Sequence, residues 1–293
     1  MPYILLILTT LFWSGNFVLS RGMNAEIPPL TLSFWRWAVA LIILSSFAFK
    51  HLYYQRSIVL KHKRFIIIQA IVGVAGFNSL VYMALQTTTA INAVLVNSCI
   101  PVIIAIISWI LYNERLSMRQ WLGICISFSG VMLILSGGKI STLLNLQFNP
   151  GDILVFIAAF LWGFYSAHLK KYPKGLHPLA YQASIVIVGV AVLLPFYLFE
   201  LSTGKTMQLS INTGITIIYV ALFASVLAFI FWNRAIAELG ANVAGPFIHL
   251  MPVFSTILAV IFLNESLTAT HLQAIPLIFG GILLTTFRPK TVL

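Results

Sequence analysis

Pro101-Val102, ten residues, then Asn113-Glu114-Arg115-Leu116: this phrase returns as Pro252-Val253, ten residues, then Asn264-Glu265-Ser266-Leu267. The second copy begins 151 residues after the first, about half of a 293-residue chain. Trp13 and Trp162, Arg21 and Lys170, Pro29 and Pro178, Ala84 and Ala235, and Gly130 and Gly281 recur at nearly the same interval. A chain that repeats at one fixed interval is built from copies of one structural unit. Two units are expected, over residues 1–137 and 151–293, joined by a linker over 138–150.

Composition says what surrounds those units. Hydrophobic residues make up 60% and charged residues 8%, with a mean hydropathy of +1.00. Charged residues are about a quarter of a soluble domain, so a soluble fold is excluded. Lipid offers the backbone no hydrogen bonds, which leaves helices or a closed barrel as spanning structures. The apolar runs are too long and too continuous for barrel strands. They fall at about 3–21, 30–50, 65–86, 91–112, 119–137, 152–170, 178–199, 211–236, 240–263 and 270–287. The expected fold is all-α and integral to the membrane, with ten transmembrane helices. Ser117 with Gln120 and Thr270 with Gln273 are spaced as capping boxes for the fifth and tenth helices. Residues 3–20 lack a positive lead and a small-residue cleavage site, so they read as a retained first helix.

Charge gives the orientation. Of 17 Lys and Arg residues, only Arg21, Lys139 and Lys205 fall on the outer side if the amino terminus is cytoplasmic, and Arg36 lies inside helix two. The rest flank the inner ends, as the positive-inside rule requires. Five helices per unit is an odd number, so the second unit enters from the opposite face and the two are inverted repeats. The net charge of +11 is spread between apolar runs rather than along one stripe, which argues against nucleic acid. Cys99 and Cys125 sit within apolar runs and read as buried thiols.

Leu11-Phe12-Trp13-Ser14-Gly15-Asn16-Phe17 in helix one, Trp35-Arg36-Trp37 in helix two, and Pro101 followed by Asn113-Glu114 with its second copy resemble the EamA family of the drug/metabolite transporter superfamily. The resemblance covers essentially the whole chain. It implies a bacterial inner-membrane carrier, commonly an exporter of amino acids or other small metabolites. It also implies a central cavity lined by the first, third and fourth helices of each repeat. The second copy departs from the pattern: Gly163-Phe164-Tyr165 stands against Ser14-Gly15-Asn16, and Ile185 against Arg36.

Thr9, Trp13, Asn16 and Ser20 form one stripe on helix one, and Asn78, Tyr82 and Gln86 another on helix three. Each stripe is either glue between packed helices or a cavity wall of donors and acceptors among aromatics. With the helices that the resemblance implicates, the candidate substrate contacts are Trp13, Asn16, Asn78, Tyr82, Asn97, Ser98, Trp162, Tyr165, Asn233 and His249. Pro101 and Pro252 lie inside helices four and nine, where a proline releases the carbonyl four residues earlier; they are candidate hinges or fixed kinks. His249, the repeat mate of Ser98, is placed to bind substrate, carry a proton or hold the bundle together. Arg36 is within snorkelling reach of the outer surface, and Glu114 and Glu265 read as helix-end charges.

None of Glu26, Glu114, Asp152, Glu200, Glu238 and Glu265 falls mid-membrane. A polycation-drug pump lacks its anion here. The expectation is a monomeric secondary transporter of neutral or zwitterionic amphipathic metabolites in the lipid bilayer, both termini cytoplasmic, moving its substrate by alternating access. Facilitated diffusion and proton coupling through His249 are both open. No cofactor, metal, nucleic acid or ATP site is expected. Import, or export of nucleobase-like or aromatic compounds, is the alternative reading, and a non-transporting receptor or scaffold a distant one. An intramembrane enzyme, an acyltransferase or a protease, needs clustered His and Asp/Glu or a Ser/His pair at membrane depth, and one central histidine without an acid makes that reading a poor one.

Overall fold

The computed structural model describes residues 1–286 apart from Asn24, Phe148 and 264–266. Asn264, Glu265, Ser266, Arg288 and Lys290, and the side chain of Arg21, lie outside the described residues. Ten helices are long and apolar enough to cross a membrane. They are α1 (Pro2–Gly22), α2 (Pro29–Lys61), α3 (Lys63–Ala84), α4 (Ala90–Asn97, resuming as Ile100–Tyr112), α5 (Met118–Ser136), α6 (Pro150–His168), α7 (Pro178–Ser202), α8 (Ile211–Leu239), α9 (Ala241–Leu263) and α10 (Ala269–Thr286).

Helices α3 and α8 widen into π-helix over Ala70–Gly76 and Val220–Leu227. Helix α9 tightens to 3-10 over Gly245–His249. These irregular turns come in repeat-related places. A wider or tighter turn leaves backbone groups unpaired, and at membrane depth the protein itself must satisfy them.

Packing pairs the two halves. Helix α2 lies along α7 and α5 along α10; α1 packs on α8 and α9, and α6 on α3 and α4. Exchanging the halves turns this list into itself. The result is two bundles, α1 with α8 and α9, and α3 with α4 and α6. Each bundle mixes helices from both copies.

Small residues set the closest crossing, between α5 and α10. A Cβ on Gly123 would lie 2.6 Å from the Gly281 carbonyl oxygen, and one on Gly130 would lie 2.9 Å from that of Ala274. In lipid, where burial of apolar area drives nothing, such backbone approach is a main source of association.

Four local expectations change. Helix α2 has 33 residues, about 50 Å at 1.5 Å per residue, so most of the expected 50–64 loop is helix that overshoots the bilayer. Its far end is tied to the turn before α7: Gln55 Nε2 donates to the Gly175 carbonyl at 2.9 Å, and the His177 N–H donates to Gln55 Oε1 at 2.6 Å. The Ser117–Gln120 capping box is present. At α10, by contrast, the Thr268 N–H donates to His271 Nδ1 at 3.1 Å; Thr270 and Gln273 already lie within the helix, so no Thr270–Gln273 box opens it. The 138–150 linker carries a short helix, Ile140–Leu144. Finally, Glu114 reaches Lys170 at 2.6 Å on the exposed surface.

Two acids hold helix starts. Glu200, at the end of α7, accepts from the Leu30 N–H at 3.2 Å and from the Thr31 N–H and hydroxyl at 2.6 and 2.8 Å. These are first-turn donors of α2 with no partner inside their own helix. Asp152 accepts from the Asn149 N–H at 2.8 Å, from Asn92 Nδ2 at 3.0 Å and from the Thr88 hydroxyl, joining the starts of α4 and α6.

Gly281→Val should part α5 from α10 and lower stability by ~1–3 kcal/mol, seen as a lower melting temperature in detergent. Gly280→Ala, where an added Cβ meets nothing within 4 Å, should melt like the parent.

Candidate functional site

The centre of the molecule is aromatic. The rings of Trp13 and Trp162, repeat mates from opposite bundles, meet edge to face at 5.0 Å. Phe77 and Phe229 pack on Trp162 at 5.0 and 5.3 Å. Trp13 is held by its Nε1–H, which donates at 3.2 Å to the carbonyl of Ala224 in the π-helical part of α8. Against these rings lies a small cavity of about 20 Å³, lined also by Asn16, Phe17, Asn78, Asn97, Ile100, Ile248 and Met251. That is room for about one water. The two bundles therefore meet here around little free space.

Two lining side chains carry a buried polar atom without a partner, Nδ2 of Asn78 and Oδ1 of Asn97. The orientation of Asn78 is not arbitrary. Nη1 of Arg36 donates to its Oδ1 at 2.7 Å, and a guanidinium only donates, so the amide nitrogen must face the other way. A buried donor left unpaired costs about 1–3 kcal/mol. The cavity thus holds one unmet donor and one unmet acceptor within an aromatic wall.

Above and below it, each repeat places a tyrosine against an asparagine. Tyr82 of α3 donates to Asn16 Oδ1 of α1 at 2.8 Å, and Tyr165 of α6 donates to Asn233 Oδ1 of α8 at 2.8 Å. Asn16 and Tyr165 are repeat mates, and so are Tyr82 and Asn233. The second copy makes the same bond with the two residue types exchanged. Both bonds cross from one bundle to the other.

His249 is fully buried in α9. Its Nε2 meets the carbonyl oxygen of Ser98, its own repeat mate 151 residues away, at 2.9 Å, and its Nδ1 meets the Ser127 hydroxyl at 2.7 Å. A carbonyl only accepts, so Nε2 carries the hydrogen, and in the neutral ring Nδ1 accepts from Ser127. Both nitrogens are occupied in joining the break of α4 to α9 and α5. The two prolines lie beside these breaks. Pro101 stands in the first turn of the resumed α4, and Pro252 in the first turn of the α-helix that begins at Leu250. A first-turn proline gives up no ladder bond, so the continuous, proline-kinked helices expected from the sequence are replaced by helices already interrupted.

Arg36 departs furthest from expectation. Instead of snorkelling outward it is fully buried. Nε donates to the Ser225 hydroxyl at 2.8 Å, Nη1 to Asn78 and to the Tyr82 hydroxyl at 2.6 Å, and Nη2 to the Ala224 carbonyl at 3.2 Å. Outward reach is blocked because α7 and α8 pack over this face of α2. The π-helical turn of α8 supplies the carbonyl and hydroxyl that replace water.

Of the residues expected from sequence, Trp13, Asn16, Asn78, Asn97 and Trp162 line the cavity together. Tyr82 stands one hydrogen bond behind it. Tyr165 stacks on Trp162 at 5.0 Å. Asn233 lines a separate pocket of about 200 Å³ with Tyr172, Tyr181 and Gln182, while Ser98 and His249 form the clamp. Gln86, read as part of the α3 stripe, falls in the exposed turn after it. Sequence reading missed Phe77, Phe229, Ser127, Ser225 and the Ala224 carbonyl. Only the aromatic pair carried a signal, as large rings on helices already implicated. No group of three or more His, Cys, Asp or Glu that could hold a metal occurs among the described residues.

If His249 is a clamp, His249→Ala strands the Ser98 carbonyl and should cost ~1–3 kcal/mol, read as a lower melting temperature of the purified protein. An unchanged melt would mean the two bonds hold nothing together.

The model of the EamA-like transporter family matches residues 1–136 and 149–287. The chain is 27% identical to the uncharacterized transporter YyaM of Bacillus subtilis (strain 168), over 88% of this chain and 84% of that protein. It is 26% identical to an uncharacterized transporter of Archaeoglobus fulgidus, over 90% and 89%. A solved crystal structure superposes with a TM-score of 0.78 over 97% of this chain and 96% of its own, at 19% identity, and so shares the fold. Ten apolar helices and a family match over both halves make this a multi-pass membrane protein, and the chain belongs to the EamA-like transporter family.

Proposed function

We propose that this transporter carries small zwitterionic amphipathic metabolites, amino acids foremost, by alternating access between its two bundles. The observation that carries the reading is the small central cavity, with the unmet donor Asn78 Nδ2 and the unmet acceptor Asn97 Oδ1 on residues that line it beside Trp13, Trp162, Phe77 and Phe229. A donor suits a carboxylate, an acceptor suits an ammonium, and the rings suit an apolar side chain. At about 20 Å³ the cavity admits no such molecule until the bundles part, so this arrangement corresponds to an occluded state.

The two Tyr–Asn bonds are the latches in this reading. The halves are taken as inverted, so the Asn16–Tyr82 bond lies toward the outside and the Tyr165–Asn233 bond toward the cytoplasm, with both termini cytoplasmic in an inner membrane. Breaking one latch while keeping the other opens one side only. The interruptions of α4 and α9 beside Pro101 and Pro252 give the bundles places to bend. Export is the direction we assign, as the family resemblance implies. The chain works as a monomer without ATP, and with His249 fully engaged, facilitated diffusion is favoured over proton coupling.

Two measurements test this. Purified protein in liposomes should exchange labelled phenylalanine or leucine, and Asn97→Ala should slow that exchange at least about tenfold, as loss of a hydrogen bond to a charged group predicts. Equal exchange by protein-free liposomes would sink the assignment. Tyr82→Phe should raise labelling of a single cysteine near Asn16 from outside, and Tyr165→Phe should raise labelling near Asn233 from inside. Each loses a bond worth about 0.5–1.5 kcal/mol, a two- to twelvefold shift. Labelling that rises on both sides together in either mutant would contradict a two-latch carrier.

A further inference from the structure

We infer that the substrate must carry a carboxylate, because it supplies the counter-ion that Arg36 lacks. The inference rests on the cavity being the substrate site and deepens that reading, making the carboxylate the group without which a molecule is not accepted and Arg36 the reason.

Arg36 is seven residues beyond the first residue of α2, about 10 Å along the axis, and fully buried. Every partner it has is neutral: the Ser225 hydroxyl, the Asn78 amide oxygen, the Tyr82 hydroxyl and the Ala224 carbonyl. Its cation also faces the rings of Trp37 and Tyr82, at 5.1 and 5.8 Å. The acids of the described residues are committed elsewhere or far away. Glu114 pairs with Lys170 and Glu238 with Arg234. Asp152 caps α6. Glu200, at the end of α7, spends its oxygens on Leu30 and Thr31 at the start of α2. Dipoles solvate the guanidinium, but its charge is not neutralised. A charge within a bundle is expected to be paired, and burying one without a partner is strongly unfavourable.

The geometry gives that charge one outlet toward the cavity. Arg36 holds Asn78 by its oxygen, Asn78 lines the cavity, and its amide nitrogen is left buried and unpaired. Through Tyr82 the same Nη1 is linked to Asn16, also in the lining. An anion entering when the bundles part meets the Asn78 N–H₂, polarised by the guanidinium behind it. An ammonium at that spot meets like charge. Nothing equivalent exists in the other half, where Ile185 takes the place of Arg36. The site is therefore polar in the literal sense, with its anion-seeking end on the Arg36 side and Asn97 Oδ1 as the acceptor for the other end. Arg36 acts here through Asn78, as a positioning residue that sets specificity.

The test uses two scaffolds in three charge forms: L-phenylalanine, L-phenylalaninamide and phenethylamine, and L-leucine, L-leucinamide and isoamylamine. Binding to the purified protein is read from quenching of tryptophan fluorescence and from thermal shift. Each acid should bind at least about tenfold more tightly than its amide, the range for a hydrogen bond to a charged group, and the amines should bind least. Arg36→Gln should erase that preference, and Arg36→Lys should keep part of it. Because Arg36→Gln also removes four hydrogen bonds, a second variant guards against simple misfolding. Asn78→Asp has the same shape and places a fixed carboxylate against the guanidinium. It should fold and melt at or above the parent temperature, yet lose acid binding by at least about tenfold and admit the amines. Equal binding of acids and amides by the parent, or undiminished acid binding by Asn78→Asp, overturns the inference. If acids and amides bind alike and Asn97→Ala weakens both, the cavity stands as the substrate site and only the carboxylate requirement fails. If no compound binds up to millimolar concentration, both readings fail.

Discussion

The structure is organised by one constraint: at membrane depth only the protein can satisfy its polar groups. Ten continuous helices would meet that constraint trivially and would have no site. This chain instead interrupts four of them, α3 and α8 by π-helix and α4 and α9 at or near a proline, and then satisfies what it exposes. The Ala224 carbonyl in the α8 π-turn takes both the Trp13 indole and Arg36. The Ser98 carbonyl at the α4 break takes His249. Each repair reaches across to another helix, and the bond between His249 and Ser98 also joins the two bundles.

Duplication explains why the repairs come in related places, and divergence explains why they differ in kind. Trp13 and Trp162, and Ser98 and His249, are repeat mates that touch each other, as positions near an axis of exchange must. The latches keep one bond and swap its two residue types. Arg36 and Ile185 break the likeness altogether. Symmetric backbone with asymmetric chemistry suits a carrier that must open to two sides yet hold its substrate in one orientation.

Electrostatics divides the acids and bases by task. The acids are spent at helix starts and on surface pairs, where a carboxylate meets free backbone N–H groups or a lysine. Glu200 secures the start of α2 and Asp152 that of α6. That leaves the interior with a single embedded cation, Arg36, among the described residues of the central site. On the proposed reading such a site favours anions over organic cations, because the interaction of unlike charges grows as the local dielectric falls.

The number of helices, the limits of those other than α2 to within a few residues, and the family were legible in the sequence, because hydrophobic length is a property of the chain read in order. So were five of the cavity residues, Trp13, Asn16, Asn78, Asn97 and Trp162, since polar and aromatic side chains stand out against an apolar helix. The overshoot of α2 was not legible, as its last turns carry polar residues that read equally well as loop. Nor were the π-turns, which leave no mark on composition. Above all, the state of Arg36 and His249 was decided by tertiary structure. Depth along a helix told how far each lies from its end, but only the packing of α7 and α8 over α2, and of α4 and α5 against α9, determined whether those side chains reach water or turn inward and spend their hydrogen bonds on the protein.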